Sequence, residues 1–175
     1  MIWLWLVIFT WVVCFGLVVI VGAPYVPTKK SFAKTAFVDL YCLSAKDKLV
    51  DLGSGDGVVL RYATKLGARA VGWEINPVLF LISRLLSTGN SRVETKLSNF
   101  WANKLPKDTT VVYVFTTSKD TKRLARWLQN QTNILDRPIN VVTLGSKFDA
   151  LKASKTIEPC NLYVFNPLQS KKAQV

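Results

Sequence analysis

The run Leu49-Val50-Asp51-Leu52-Gly53-Ser54-Gly55-Asp56-Gly57 constrains the fold of this chain more than any other stretch. Apolar, β-favouring residues lead into it, and a helix-compatible segment leads out from Val58. A strand that ends in alternating glycines and resumes as a helix must turn sharply and present bare backbone to a ligand. Only glycine permits both. A second strand-like segment, Arg69-Ala70-Val71-Gly72-Trp73-Glu74, ends in a carboxylate seventeen residues after Gly57. That is where nucleotide-binding α/β folds place an acid to accept two ribose hydroxyls. The dinucleotide fingerprint would need its third glycine at position 58, which is Val58. A tight turn capped by Asp56 accounts for Gly55 and Asp56. It does not account for Asp51, because a carboxylate inside a central strand is costly without partners. Asp51 would find them by accepting N–H bonds from the glycine loop.

The remaining segments alternate in the same way. A helix is expected from Ser31 through Ser44, with Phe32, Ala36, Leu40 and Leu43 near one face. Strands follow at Lys48 to Gly53, Arg69 to Glu74, Ser91 to Ser98, Thr109 to Thr116 and Asn140 to Gly145. Helices are expected from Gly57 to Leu66, closed by Gly67, from Pro77 to about Thr88, and from Lys119 to Gln131. Ser154 to Glu158 and Leu162 to Phe165 read as a terminal antiparallel pair around Pro159-Cys160-Asn161. Strands alternating with helices imply a mostly parallel α/β sheet.

Charge divides the chain. Residues 1–28 contain no Asp, Glu, Lys or Arg, so the net charge of +12 belongs entirely to residues 29–175. As a helix, the apolar run from Ile2 to Gly22 would be about 31 Å long, the thickness of a bilayer's hydrocarbon core. Trp3, Trp5, Trp11 and Tyr25 suit the membrane interfaces. A cleaved signal peptide fits less well: no basic residue precedes the run, and Pro24 follows the small-residue site Val21-Gly22-Ala23. Lys29, Lys30 and Lys34 follow the run immediately, which places the rest of the chain on the cytoplasmic side of a single-pass cell-membrane anchor. The expected organisation is an anchor over 1–23, a connector and helix over 24–47, and an α/β domain over 48–175. The basic surface favours anionic lipid ahead of nucleic acid. The absence of histidine excludes Ser-His-Asp and Cys-His chemistry and His-ligated metal sites, and the three widely spaced cysteines suggest no metal or disulfide framework.

Asp51, the glycine triplet and Glu74 together resemble motif I and the acidic loop of S-adenosyl-L-methionine-dependent class I methyltransferases. Pro24-Tyr25-Val26-Pro27-Thr28 before them and Gly72-Trp73-Glu74-Ile75-Asn76-Pro77 after them narrow the resemblance. The chain is similar to the small membrane-anchored lysine methyltransferases, which in mitochondria modify the ADP/ATP carrier and the ATP-synthase c subunit and have prokaryotic relatives. The similarity is dense over residues 22–77 and thin after about 100. It implies a Rossmann-like seven-strand sheet flanked by helices and preceded by one transmembrane helix. It also implies S-adenosyl-L-methionine as cofactor and the lysine side chain of a membrane protein as substrate. Asp51, Gly53, Ser54, Gly55, Asp56 and Gly57 would hold the cofactor's methionine end, and Glu74, Ile75 and Asn76 its ribose. Asn99 and Phe100 would lie at the adenine, Asn99 where the family usually has an acid, with core packing the alternative for Phe100 and Trp101. Tyr25 and Thr28 would sit over the methyl-transfer centre.

Two other readings accompany it. The charge would suit a nucleic-acid methyltransferase, but the fourth strand ends Phe115-Thr116-Thr117-Ser118, without the Asn/Asp-Pro-Pro-aromatic signature of base amino-group methylation. A membrane-tethered protein that binds the cofactor without turnover is the third.

Overall fold

The computed structural model describes residues 2–21 and 28–168, with side chains for 2–12 and 28–168. The chain begins with helix α1 (Ile2–Val21), whose Trp3, Trp5 and Trp11 are exposed. Among the described residues no helix is long and apolar enough to cross a membrane. The side chains of α1 are described only to Val12, so the span expected over Ile2 to Gly22 is not shown by the structure.

Seven strands form one sheet: β1 (Lys48–Leu52), β2 (Arg69–Glu74), β3 (Val93–Leu97), β4 (Val111–Thr116), β5 (Ile139–Gly145), β6 (Lys155–Ile157) and β7 (Cys160–Phe165). Their order is β3-β2-β1-β4-β5-β7-β6. The first five are parallel, while β7 runs antiparallel to both β5 and β6. The chain moves outward from β1 to β3, then returns to place β4 on the other side of β1. The order therefore reverses between β1 and β4, and at such a switch point the crevice beyond the strands' carboxyl ends is open to a ligand.

Both faces of the sheet are covered, as parallel strands require. On one face lie α2 (Lys30–Lys34), its π-helical continuation Thr35–Leu40, α3 (Val58–Lys65) and α4 (Pro77–Leu86). Ala33, Phe37 and Leu60 pack there on Leu49, Val111, Tyr113 and Val142. On the other face α5 (Thr121–Leu135) brings Leu124 and Leu128 onto Val50, Val112 and Val141.

The differences from the expected elements have local causes. The helix over Ser31 to Ser44 ends early, at Leu40, because Cys42 turns left-handed (φ 59°) and the Leu43 N–H bonds the Phe37 carbonyl. A helix stop of this kind is normally signalled by glycine or asparagine, and Tyr41-Cys42-Leu43-Ser44 contains neither. The helix α5 runs one turn beyond Gln131, to a left-handed Asp136. The closing turn is tighter than expected, and Cys160 and Asn161 already pair with β5.

Asp47 anchors the end of the α2 segment to the amino ends of β1 and β4. Its carboxylate accepts bonds from the Ser44 N–H and hydroxyl and from the Tyr41 and Thr110 hydroxyls. Burial would raise its pKa, but those four donors outweigh it and hold the carboxyl below its usual range. A depressed pKa contributes stability that is present above the unfolded pKa and lost as pH falls through the folded one. Asp47→Ala is expected to cost ~1–3 kcal/mol in urea unfolding at neutral pH, and the deficit should narrow as the pH falls below about 4.

Candidate active site

The elbow after β1 sits at the switch point. Gly53, Gly55 and Gly57 all take positive φ (83°, 56° and 77°), which side-chain-bearing residues rarely adopt. The Gly53 and Ser54 N–H groups both donate to the Trp73 carbonyl, at 2.9 and 3.0 Å. The elbow is therefore tied to the end of β2. A Cβ on Gly53 would meet nothing within 4 Å, so its outer face is open to an approaching group. A Cβ on Gly72, beneath the elbow, would lie 2.5 Å from the Ser54 hydroxyl and 2.6 Å from Leu60 Cδ1. Only glycine in β2 lets Ser54 and α3 settle this close.

Glu74 closes β2 as expected, but its first task is structural. Its two oxygens accept the Gly55 and Asn76 N–H groups, each at 2.7 Å. One buried carboxylate thus clamps the elbow to the next turn. Asn76 is also buried, and its side-chain oxygen caps α4 by accepting the Val78 and Leu79 N–H groups. Ile75, half-buried, lies between them. Asp56 caps α3 through the Val58 N–H and pairs with Arg61 at 3.5 Å.

Asp51 requires a correction. It is buried as expected, but no N–H of the described residues donates to it. The elbow's N–H groups from Gly53, Ser54 and Gly55 all go to the end of β2, and Asp51 lies one step below them in the strand. Burial first, then the charges of Glu74 and Asp56, push its carboxyl well above the usual range. Its register partner on β4 is Tyr113, which points to the same side of the sheet. The Tyr113 hydroxyl is buried and has no hydrogen-bond partner among the described residues. Thr28 lies near enough to ease the phenol's ionisation without bonding geometry, while burial dominates and drives its pKa up. The Ser54 hydroxyl is likewise buried and unpartnered.

Sequence reasoning missed Tyr113. The signal was a lone phenol in an otherwise apolar central strand, but only the strand register sets it beside Asp51. Tyr25 falls outside the described residues. Asn99 follows β3, whose end is joined to β2 by the bond from the Ser98 N–H to the Glu74 carbonyl. Its side-chain oxygen is already engaged in capping the 3₁₀ turn Phe100–Ala102 through the Trp101 N–H. Phe100 stacks at 4.5 Å on Trp101, which carries Arg123 over its ring at 4.1 Å, and both rings pack edge-on against Trp127. Both are half-buried, so the packing alternative accounts for one side of each ring.

Three carboxylates therefore converge on the elbow, with Arg61 engaging Asp56, and beside them two buried hydroxyls have no partner among the described residues. Such a cradle suits a compact cationic ligand with hydrogen-bonding groups. Among the described residues no group of His, Cys, Asp and Glu is arranged to hold a metal ion.

No protein-family model matches the chain. Over 61 residues, 35% of its length, it is 41% identical to the ATP synthase c-subunit lysine N-methyltransferase of Homo sapiens and 43% identical to that of Xenopus laevis. The match covers only 25% and 26% of those two relatives, so the chain spans about a quarter of their length. An RNA methyltransferase from Salinibacter ruber, solved in complex with S-adenosyl-L-homocysteine, superposes with a TM-score of 0.71 at 24% identity. That superposition covers 83% of this chain and 95% of the other. The strand order, the elbow at the switch point and the antiparallel closing strand, taken with it, identify this as the class I methyltransferase fold.

Proposed function

We propose that the chain is an S-adenosyl-L-methionine-dependent methyltransferase that N-methylates lysine side chains of a membrane-associated protein. The observation that carries this reading is the buried carboxyl of Asp51 beside the Ser54 and Tyr113 hydroxyls, which have no partner among the described residues, beneath an elbow with open backbone. S-adenosyl-L-methionine carries a sulfonium and an ammonium group, the cationic complement that such a cradle lacks. Asp51, Gly53, Ser54, Gly55, Asp56 and Gly57 would hold the methionine end. Glu74, Ile75 and Asn76 would border the ribose, and Asn99 and Phe100 the adenine. The 61-residue likeness to lysine methyltransferases supports the choice of a lysine target.

When bound, the cofactor supplies a methyl group on a good leaving group. The protein's work is then to position the amine and strip its water. The bound cofactor would give its methyl to the lysine nitrogen's lone pair, its sulfur keeping the C–S electron pair as leaving group. The nitrogen must first lose its proton, whose unperturbed pKa is about 10.4; a dry site lowers that value. Tyr113, kept neutral by burial, offers an oxygen that can orient the amine beside Thr28. Tyr25 of the connector would help orient the same amine, and the proton leaves to solvent or a carboxylate.

In this reading α1 is a single-pass anchor in the cell membrane. Its 20 residues carry no charge, and Lys29, Lys30 and Lys34 follow on the cytoplasmic, anionic-lipid side. The net charge of +12 also favours a second reading, an RNA methyltransferase. The test is to incubate the full chain with methyl-labelled cofactor, membranes and total RNA. Label in lysines of a membrane protein, absent with Asp51→Asn, is the expected result. Label in RNA would establish the second reading, and bound cofactor without transfer would leave a non-catalytic binder.

A further inference from the structure

The helix α4 is built inside out. Its inward side carries Ser83, which is fully buried and 3.2 Å from the Thr95 hydroxyl of β3, and one turn on Ser87 follows with its hydroxyl buried. Its outward side carries Leu81, Ile82, Leu85 and Leu86, at the i, i+1, i+4, i+5 spacing of a single stripe. Leu81 is 60% and Leu85 74% exposed, and Ser83 is the only residue of the helix that is buried. Leu97, two residues beyond Thr95 and so on the same side of edge strand β3, is 52% exposed. A helix that turns Ser83 to the sheet, with Leu79 and Phe80 half-buried, and leaves Leu81, Ile82, Leu85 and Leu86 outward has an apolar surface to be covered.

The surroundings indicate what covers it. With α2, its π-helical continuation and α3, this helix forms one layer on one face of the sheet. Those elements carry Lys30, Lys34, Arg61, Lys65 and Arg84, against a single acid, Asp39. Of these Arg61 is engaged by Asp56, and the remaining cations outnumber the acid in the layer that carries the stripe, the balance expected of a helix that lies in the plane of an anionic lipid interface. The same layer is where the chain arrives from α1: six residues separate Val21 from Thr28, a reach of at most ~25 Å.

We infer that the Leu81–Ile82–Leu85–Leu86 face of α4 is a docking surface for the interface of an anionic bilayer. This rests on the membrane placement proposed above. It adds that the catalytic domain lies on the lipid by a defined face instead of hanging from a tether. The consequence for chemistry is proximity. A Cβ on Gly57 would lie 2.2 Å from the Ser83 hydroxyl, so the docked helix packs directly against the elbow. A lysine at the headgroup level is thereby kept within reach of the cofactor.

The test uses the full chain, with Cys14→Ser and Cys42→Ser, in nanodiscs of phosphatidylcholine and phosphatidylserine. A nitroxide is placed on Leu85→Cys and, separately, on the α5 control Ile134→Cys. The label at position 85 is expected to be reached by oxygen and shielded from a water-soluble nickel chelate at least roughly tenfold better than the label at 134. Adding Leu81→Glu, or omitting phosphatidylserine, is expected to remove most of that shielding. Equal chelate access at the two positions would overturn the docking surface, as would spin–spin broadening from a second copy seated on the stripe. Cofactor affinity measured on the same samples separates the readings. An exposed label with cofactor bound sinks the docking surface alone, whereas a shielded label without cofactor binding sinks the methyltransferase reading. A chain that does not stay with the nanodiscs sinks both the anchor and the docking surface.

Discussion

Asp51→Asn is expected to make the protein more stable and unable to hold its cofactor. The carboxylate of Asp51 is buried beside Glu74 and Asp56, and no donor of the described residues reaches it. The fold therefore carries a cost at neutral pH that a neutral amide of the same shape removes. A gain of about 1 kcal/mol, a rise in Tm of roughly 2–4 °C for a chain of this size, is the expected magnitude. Cofactor affinity should fall at least ~100-fold, because a buried anion facing a cationic ligand is lost. Calorimetry on both chains checks the two halves together. A variant that is both destabilised and still competent to bind would show that Asp51 is a structural acid.

The pH dependence follows from the same residue. A carboxyl whose folded pKa is raised contributes stability that is fully present below its unfolded pKa and lost as pH rises through the folded value. The Tm advantage of Asp51→Asn should therefore be absent at low pH and grow as the parent's Asp51 ionises. In the proposed reading the cofactor would place positive charge beside Asp51 and draw its pKa back down. Binding should then release a proton in the range where free Asp51 is still protonated, and the measured enthalpy should depend on buffer ionisation enthalpy. A buffer-independent enthalpy across that range would contradict this.

The parts of this molecule written in local pattern were legible before the structure. Gly53, Gly55 and Gly57 could do little except turn a strand sharply into a helix, and Glu74 could be counted off from them. The sheet followed because each apolar strand segment was separated from the next by helix-compatible sequence or a turn. What escaped depended on register or on exposure. Tyr113 acquires meaning only when β4 sets it opposite Asp51. The elbow's bonds go not to Asp51 but to the end of β2, where the Trp73 carbonyl takes the Gly53 and Ser54 N–H groups and the Glu74 carboxylate takes that of Gly55. The outward leucines of α4 look, in sequence, like any core-facing stripe, and only burial reveals that the serines turned inward. Asn99 matched a position whose usual acid would reach adenine, yet its side-chain oxygen was drawn to a local cap, as short polar side chains tend to be.

Glu74→Gln separates the two tasks assigned to that residue. As a carboxylate, Glu74 offers an acceptor to each of two N–H groups, from Gly55 and Asn76, at 2.7 Å. Glutamine keeps the shape but has one acceptor and one donor end, so one of those N–H groups must face an NH₂. Losing a charge-assisted bond and creating a buried donor–donor contact should cost ~2–3 kcal/mol, concentrated at the elbow. Exchange of the Gly55 or Asn76 amide is expected to quicken by roughly tenfold or more while amides in the middle of β1 and β4 keep their protection. Cofactor affinity should drop by about 100-fold, because the bound shape of the elbow is no longer held ready. Glu74→Ala, which removes both acceptors, should loosen both turns and abolish binding with the sheet intact. If affinity falls but amide exchange at positions 55 and 76 is unchanged, Glu74 acts on the ligand alone and the clamp does not govern binding. If neither moves, the elbow does not need its second strand, and the site must be sought elsewhere along the switch point.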